Sequence, residues 1–177
     1  MGQDIHVYLA RKKSEYDRKR NERDWEPYYP VELYTKYDDE GTTYDYADPY
    51  CGRNYELFSW LMEGDGRAYV DESDHPMEIT TEYYDLVPKK IQTEWEDWET
   101  CGAYGYNVVM LSDIIDHYNM MDTDKRDVCG MLGSYPETNM LKVYVGNFID
   151  DIKRYCSLEG AYFLSPKDIL VAYWFDS

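Results

Sequence analysis

Asp4, His6 and Arg53 are the residues of this sequence whose types and spacing suit chemistry. Asp4 and His6 are two positions apart, so both side chains lie on one face if the segment is a β-strand. Arg53 follows Gly52 and precedes Asn54, which favours the N-cap position of a helix. A carboxylate, an imidazole and a guanidinium together suit hydrolysis of RNA or of a nucleotide, with His6 as base and Arg53 as phosphate clamp.

The same residues also fit a purely structural interpretation. A strand histidine opposite a carboxylate is commonly a satisfied pair, and Arg53 can bridge Asp4 or Asp176. A metal centre needs at least three converging ligands, of which the sequence supplies one histidine. His75 and His117 are expected at the surface. We therefore predict no cofactor or metal, and consider a divalent metal only under the enzymatic alternative.

Alternating apolar residues predict the strand that carries the first two candidates. Ile5, Val7 and Leu9 alternate with more polar positions, which is the period of a half-buried strand. Residues 169–175 are a continuous apolar run, typical of a central strand buried on both faces. We therefore predict a single α+β domain over residues 1–177, with an antiparallel or mixed sheet that contains both terminal strands and several helices packed on it.

Helical patterns fill the span between the two terminal strands. Helices are predicted after the Asn54 cap, over 89–99, after an N-cap at Ser112, and over 145–156, where the apolar stripe is clearest. A further short helix is predicted to end at Val87. These elements must position any site that the terminal strands carry.

Charge is the strongest compositional signal, with 36 acidic and 18 basic residues and a net charge of −18. We predict a basic loop over 11–24 and an acidic loop over 35–50. Because affinity for nucleic acid comes largely from Lys and Arg, direct sequence-specific DNA binding is not expected. The expected partners are basic protein surfaces, above all a nuclease or a ribonucleoprotein.

The basic loop has two interpretations. It contacts the nucleic acid of a ribonucleoprotein, or it is a solvated loop attracted to the acidic remainder of the chain. Its basic side chains are Arg11, Lys12, Lys13, Arg18, Lys19, Arg20 and Arg23.

The acidic surplus is comparable with the charge of a DNA duplex. A protein of this length is about 40 Å across, and 40 Å of B-DNA carries about 24 charges. Residues 11–23 carry +4, so the remainder of the chain carries −22. The surface therefore either mimics nucleic acid or serves only solubility.

Tyrosine is the second compositional signal, at 21 of 177 residues, many of them beside acids. A ring next to a carboxylate suits the binding of arginine, although tyrosine also packs well in strands. The predicted binding residues are Asp38, Asp39, Glu40, Tyr44, Asp45, Tyr46, Asp48, Tyr50, Tyr83, Tyr84 and Asp85.

Other classes of function are disfavoured by pattern. Neither glycine-rich nucleotide-binding motif is present, and no apolar run of 18 or more residues would span a membrane. The first residues do not resemble a signal peptide. The four cysteines lack a C-x-x-C spacing and are expected as free thiols. We therefore expect no membrane association and a cytoplasmic location.

Three segments together resemble a family of small uncharacterised bacteriophage and bacterial proteins: the start MGQDIH, the central GRNYELF and the ending YWFD. The resemblance implies a phage or mobile-element origin. By analogy with other small acidic phage proteins, it suggests an inhibitor of host defence such as an anti-CRISPR protein. The location implied is the cytoplasm of a bacterial host.

Two positions depart from that family. Gln3 stands where the family usually has cysteine, and residues 105–112 replace a His- and Ser-rich motif. Chemistry that relatives perform with those histidines is therefore not implied for this chain.

Charge, tyrosine content and resemblance together favour one function. We predict an anti-CRISPR-like inhibitor that binds a basic nucleic-acid groove, with a Cas9-type effector as the candidate target. The alternative is the small hydrolase or nuclease acting through Asp4, His6 and Arg53.

Overall fold

The computed structural model describes residues 3–12, 25–27, 35–38, 41–44, 49–50, 52–62, 68–125, 137–157 and 165–176. Within these residues, four α-helices and a four-stranded antiparallel sheet form one α+β domain, which confirms the predicted fold class. The helices are α1 (Tyr55–Leu61), α2 (Lys89–Thr100), α3 (Leu111–Met120) and α4 (Met140–Ser157). The strands are β1 (Asp4–Lys12), β2 (Trp25–Pro27), β3 (Thr35–Asp38), β4 (Gly41–Tyr44), β5 (Tyr104–Met110), β6 (Asp124–Lys125), β7 (Glu137–Thr138) and β8 (Ile169–Asp176).

The main sheet has the strand order β2-β1-β8-β5. β8 pairs with β1 over its whole length, from Asp4 opposite Asp176 to Arg11 opposite Ile169. Both terminal strands therefore lie side by side in the sheet, as predicted. The β3–β4 and β6–β7 pairs are separate two-stranded sheets.

β8 is buried on both faces because a layer packs against each of them. Val171, Tyr173 and Phe175 join the core that contains residues of α1, α3 and α4. Ala172 and Trp174 join the second core, which contains residues of α2. With no face left for solvent, β8 needs apolar side chains at successive positions, which explains its continuous apolar run.

The helices follow the predicted periodicity where the stripe is long. Asn54 caps α1, and its Oδ1 accepts a hydrogen bond from the N–H of Leu57 at 3.0 Å. α2 and α4 cover the predicted spans 89–99 and 145–156. These three predictions are confirmed.

Several local predictions are wrong. α3 begins at Leu111 with Met110 as its N-cap, so Ser112 lies inside the helix. The short helix ending at Val87 is only a 3-10 turn over Tyr84–Leu86. β5 was not predicted, because glycine and asparagine interrupt its alternation.

The two predicted loops also need correction. Residues 35–50 contain the paired strands β3 and β4 within the segment expected to be a loop. Arg11 and Lys12 are the last residues of β1, so the basic segment starts as a strand. The remainder of that segment, 13–24, lies outside the described residues.

Asn107 ties the preceding segment to the edge strand β5. Its side-chain amide donates to the carbonyl of Glu78 at 3.0 Å and to the hydroxyl of Tyr173 at 2.9 Å. Its Oδ1 accepts from the backbone N–H of Thr80 at 3.1 Å and of Val108 at 3.0 Å. Asn107 is fully buried, and its side-chain hydrogen bonds connect the segment 78–80 and Tyr173 to the edge strand.

Gly105 occupies a position that no other residue fits without strain. Its φ is +68°, and an added Cβ would lie 2.5 Å from Met62 Sδ and 3.0 Å from Phe175 Cδ2. We expect Gly105→Ala to lower the free energy of unfolding by about 1–3 kcal/mol, measured by urea denaturation. Gly102→Ala is the matched control, because Gly102 has φ +93° with nothing within 4 Å. Equal losses in both variants would contradict a steric contribution at Gly105.

Candidate functional site

The pairing of β1 with β8 brings the candidate residues to one end of the sheet. Arg53 donates from Nε and Nη2 to the two carboxylate oxygens of Asp4, at 2.5 Å and 2.8 Å. Nε2 of His6 lies 3.2 Å from Oδ2 of Asp176. We call these four residues, Asp4, His6, Arg53 and Asp176, the sheet-end cluster.

Local structure explains how the cluster assembles. Strand alternation sends Asp4 and His6 to the face of the sheet that α2 covers, whereas Ile5 and Val7 enter the opposite core. The Asn54 cap starts α1 and leaves Arg53 just ahead of its first turn. Arg53 therefore reaches Asp4 from the end of the sheet.

The ring of His6 is held between a carboxylate and an indole. Its centroid lies 4.0 Å from that of Trp98 on α2 and 5.9 Å from that of Trp174. Because a carboxylate only accepts hydrogen bonds, Nε2 carries the proton shared with Asp176. Nδ1 makes no hydrogen bond with any described residue, and in the neutral ring it carries the lone pair.

Arg53 remains charged and outward-facing. The hydrogen bond that Arg53 donates to Asp4, followed by the negative charge of Asp4, raises the pKa of Arg53 above its usual range. Its side chain is 62% exposed. Nε and Nη2 engage Asp4, so Nη1 still has donors to offer a ligand.

Aromatic rings form the wall behind the cluster. Trp174 is fully buried and stacks on Tyr8 at 4.8 Å, while Trp95 and Tyr106 meet it edge-on at 5.8 Å and 6.0 Å. Within the described part of the chain, Nε1 of Trp174 has no hydrogen-bond partner. The cluster therefore lies beside an aromatic interior that excludes water from one side.

Sequence reasoning missed two members of this environment. Asp176 was considered only as a partner for Arg53, but its side chain pairs with His6. Trp98 lies within the predicted helix 89–99, but that prediction gives no indication that its ring contacts His6. Both contacts depend on register and packing between distant segments.

The predicted binding residues lie partly outside the described part of the chain. Those outside the described residues are Asp39, Glu40, Asp45, Tyr46 and Asp48. Asp38 and Tyr44 are strand residues of β3 and β4. The ring of Tyr50 is half-buried and meets Phe148 edge-on at 5.1 Å.

Tyr83 and Tyr84 use their side chains inside the protein. Burial, together with a hydrogen bond to Asp113, raises the pKa of Tyr83 to about 12. The hydroxyl of Tyr84 donates to the carbonyl of Tyr106 at 2.9 Å, and burial raises its pKa. Asp85 is exposed. The structure therefore places these tyrosines in packing contacts and leaves Asp85 at the surface.

The basic segment starts at the other end of the sheet. Arg11 donates to Glu26 at 2.7 Å and lies seven positions along β1 from Asp4. At the rise of a strand, that separation is about 24 Å. Five of the predicted nucleic-acid contacts lie outside the described residues: Lys13, Arg18, Lys19, Arg20 and Arg23.

The other two histidines are remote from the cluster. Nδ1 of His117 lies 2.9 Å from the carbonyl oxygen of His75. Both side chains are half-buried rather than at the surface, which corrects the prediction. In the described ranges, no three His, Cys, Asp or Glu side chains are grouped as metal ligands would be.

Acidic side chains are exposed in both helical layers. Asp116 on α3 and Asp150 on α4 are exposed on one side of the sheet. On the other side, α2 carries Glu94, Glu96, Asp97 and Glu99. The span 71–124 holds 14 acidic and two basic residues, a net charge of −12.

The fold and the cluster define a single-domain α+β protein with a carboxylate-paired histidine at one end of its sheet. The chain matches no protein-family model, no curated protein and no solved structure. None of the helices in the described residues has the length and apolar composition to cross a bilayer.

Proposed function

We propose that the protein is a phage-type, anti-CRISPR-like inhibitor that binds a basic nucleic-acid groove. The candidate target is a Cas9-type effector in the cytoplasm of a bacterial host. Such effectors hold a heteroduplex in a positively charged channel, which an acidic surface complements.

The charge order of α2 is the observation that carries this proposal. The helix has Lys89 and Lys90 in its first turn, no acidic residue there, and no basic residue in its last turn. Glu96, Asp97 and Glu99 lie near its C-terminus and are exposed. A helix dipole favours the opposite order, by about 0.3–1 kcal/mol for each charge.

Helix stability therefore does not explain where these charges are. Charges that break a local rule at a helix terminus are expected at functional sites. The carboxylates of α2 are placed where they cost stability and remain available to a basic partner. The position of these carboxylates favours binding over solubility, because solubility would be served equally by acids in the first turn.

The affinity for the binding partner is expected to depend strongly on salt concentration. We expect the dissociation constant for a purified Cas9-type effector to rise by about 10²–10³-fold between 50 mM and 200 mM salt. Biolayer interferometry with the effector immobilised measures this directly. Competing DNA should displace the protein, because both would occupy the same groove.

Substitution at the sheet-end cluster is the matched control for this experiment. Asp4→Asn and His6→Gln should bind as the parent does, because the proposed contact is made by α2. A dissociation constant that is unchanged across the salt series would contradict the proposal.

A further inference from the structure

We propose that the sheet-end cluster is an RNA-cleaving site in which His6 acts as the base and Arg53 binds the scissile phosphate. This activity is separate from the proposed inhibition and uses different residues. It needs no redox partner and no group from outside the chain. The substrate class is single-stranded RNA, whose 2′-hydroxyl supplies the nucleophile.

Asp176 is the positioning residue of this site. It holds Nε2–H of His6 at 3.2 Å, which leaves Nδ1 with the lone pair that a general base requires. Contact with the tilted ring of Trp98, at 4.0 Å between ring centroids, restricts rotation of the imidazole. A base held in one tautomer and one orientation is ready to accept a proton.

Arg53 supplies the phosphate contact. Asp4 fixes the plane of the guanidinium through two hydrogen bonds, so the free Nη1 edge is pre-oriented. A planar guanidinium with two parallel donors suits a phosphate and the charge that develops on it. Asp4 also balances the charge of Arg53, which leaves Asp176 as the one uncompensated carboxylate of the cluster.

The proposed reaction is an internal transfer of the phosphodiester. Nδ1 of His6 removes the proton of the 2′-hydroxyl, the 2′-oxygen forms a bond to phosphorus, and the bond from phosphorus to the 5′-oxygen breaks. The departing 5′-oxygen lies on the side of phosphorus opposite the 2′-oxygen and takes a proton from solvent, and His6 releases its proton to solvent. The products are a 2′,3′-cyclic phosphate and a 5′-hydroxyl, so atoms and charge balance and no water is consumed.

RNA cleavage and the proposed inhibition are expected to depend on salt concentration in opposite directions. A chain with a net charge of −18 repels RNA. Screening weakens that repulsion, so cleavage should become faster as salt rises from 20 mM to 150 mM. Binding to a basic groove should become weaker over the same range.

The test is cleavage of a fluorescent single-stranded RNA in the presence of EDTA, with the products identified by mass spectrometry. We expect a 2′,3′-cyclic phosphate product and no cleavage of DNA of the same sequence. His6→Gln should lower the rate at least about 10²-fold. Arg53→Gln, at an exposed position, should lower it without unfolding the protein.

The Asp176→Asn variant has to be tested with a measurement that would stay unchanged if Asp176 had only a structural role. We expect it to lower kcat and to change the pH profile of the remaining cleavage, while near-ultraviolet circular dichroism stays that of the parent. Arg154→Gln is the matched control, because Arg154 makes an exposed ion pair with Asp151 on α4, in the layer on the opposite face of the sheet. It should cleave as the parent does.

Three results would each overturn the proposal: no cleavage by the parent chain, loss of cleavage in EDTA, or full activity in His6→Gln. None of them bears on the salt dependence of effector binding. The two proposals therefore fail separately.

Discussion

Replacing Asn107 with leucine is expected to lower the free energy of unfolding by about 3–4 kcal/mol. The shape of the side chain is kept, but its hydrogen bonds are lost. The carbonyl of Glu78 and the N–H groups of Thr80 and Val108 each lose a bond to the buried Asn107 side chain, and the buried hydroxyl of Tyr173 keeps only its bond to the carbonyl of Leu61. An unsatisfied buried polar group typically costs about 1–3 kcal/mol.

Urea denaturation at constant m-value measures the Asn107→Leu effect. Asn147→Leu is the matched control, because Asn147 is an exposed residue on α4 and should change stability by no more than about 0.5 kcal/mol. If the two variants lost equal stability, the bridge between β5 and the segment 78–80 would not stabilise the fold. A changed m-value would instead indicate a less compact native or denatured state.

Reversing two charges on α2 is expected to change stability and binding in opposite directions. The double variant Glu96→Lys/Glu99→Lys places cations near the C-terminus of the helix, where the dipole favours them. We expect the free energy of unfolding to increase by about 0.5–1 kcal/mol. Binding to a basic groove should weaken about 10²-fold, because two attractions become repulsions.

A control with the same change in net charge separates α2 from the remaining surface. Glu56→Lys/Asp150→Lys also reverses two exposed acids, but on α1 and α4. Glu56 lies in the first turn of α1, where the dipole favours an acid, so this variant should be slightly less stable. Its effector affinity should stay within a few-fold of the parent. Equal losses of affinity in both double variants would mean that only total charge matters.

The acidic surface and the sheet-end cluster meet at α2. The ring of Trp98 contacts that of His6, and the next residue along the helix is the exposed Glu99. The two proposed activities therefore use neighbouring surfaces, although they depend on different side chains. Trp98 is consequently a poor choice for a variant meant to separate them.

The local sequence pattern was sufficient to predict the elements in which buried positions recur regularly. β1 alternates, β8 is continuously apolar, and α4 has a regular stripe, because each periodicity reports which side of an element meets the core. The Asn54 cap was also predictable, because it needs only the N–H of Leu57, three residues away.

Sequence pattern did not predict the structure where the type of a residue is explained by contacts with a segment distant in sequence. β5 contains Gly105, which makes room for Met62, and Asn107, which bonds to Glu78 and Tyr173. Neither residue favours a strand by itself. Their types are explained by the tertiary contacts and not by the strand that they form.

The candidate site likewise combines features that the sequence predicts with features that depend on the tertiary structure. The sequence by itself determined that a carboxylate and an imidazole share one face of β1 and that an arginine precedes a capped helix. Only the tertiary structure decided that Asp176 pairs with His6, that Arg53 pairs with Asp4, and that Trp98 covers the imidazole. Those pairings depend on the register of two strands some 170 residues apart in sequence and on how α2 packs across them, and no local periodicity encodes either.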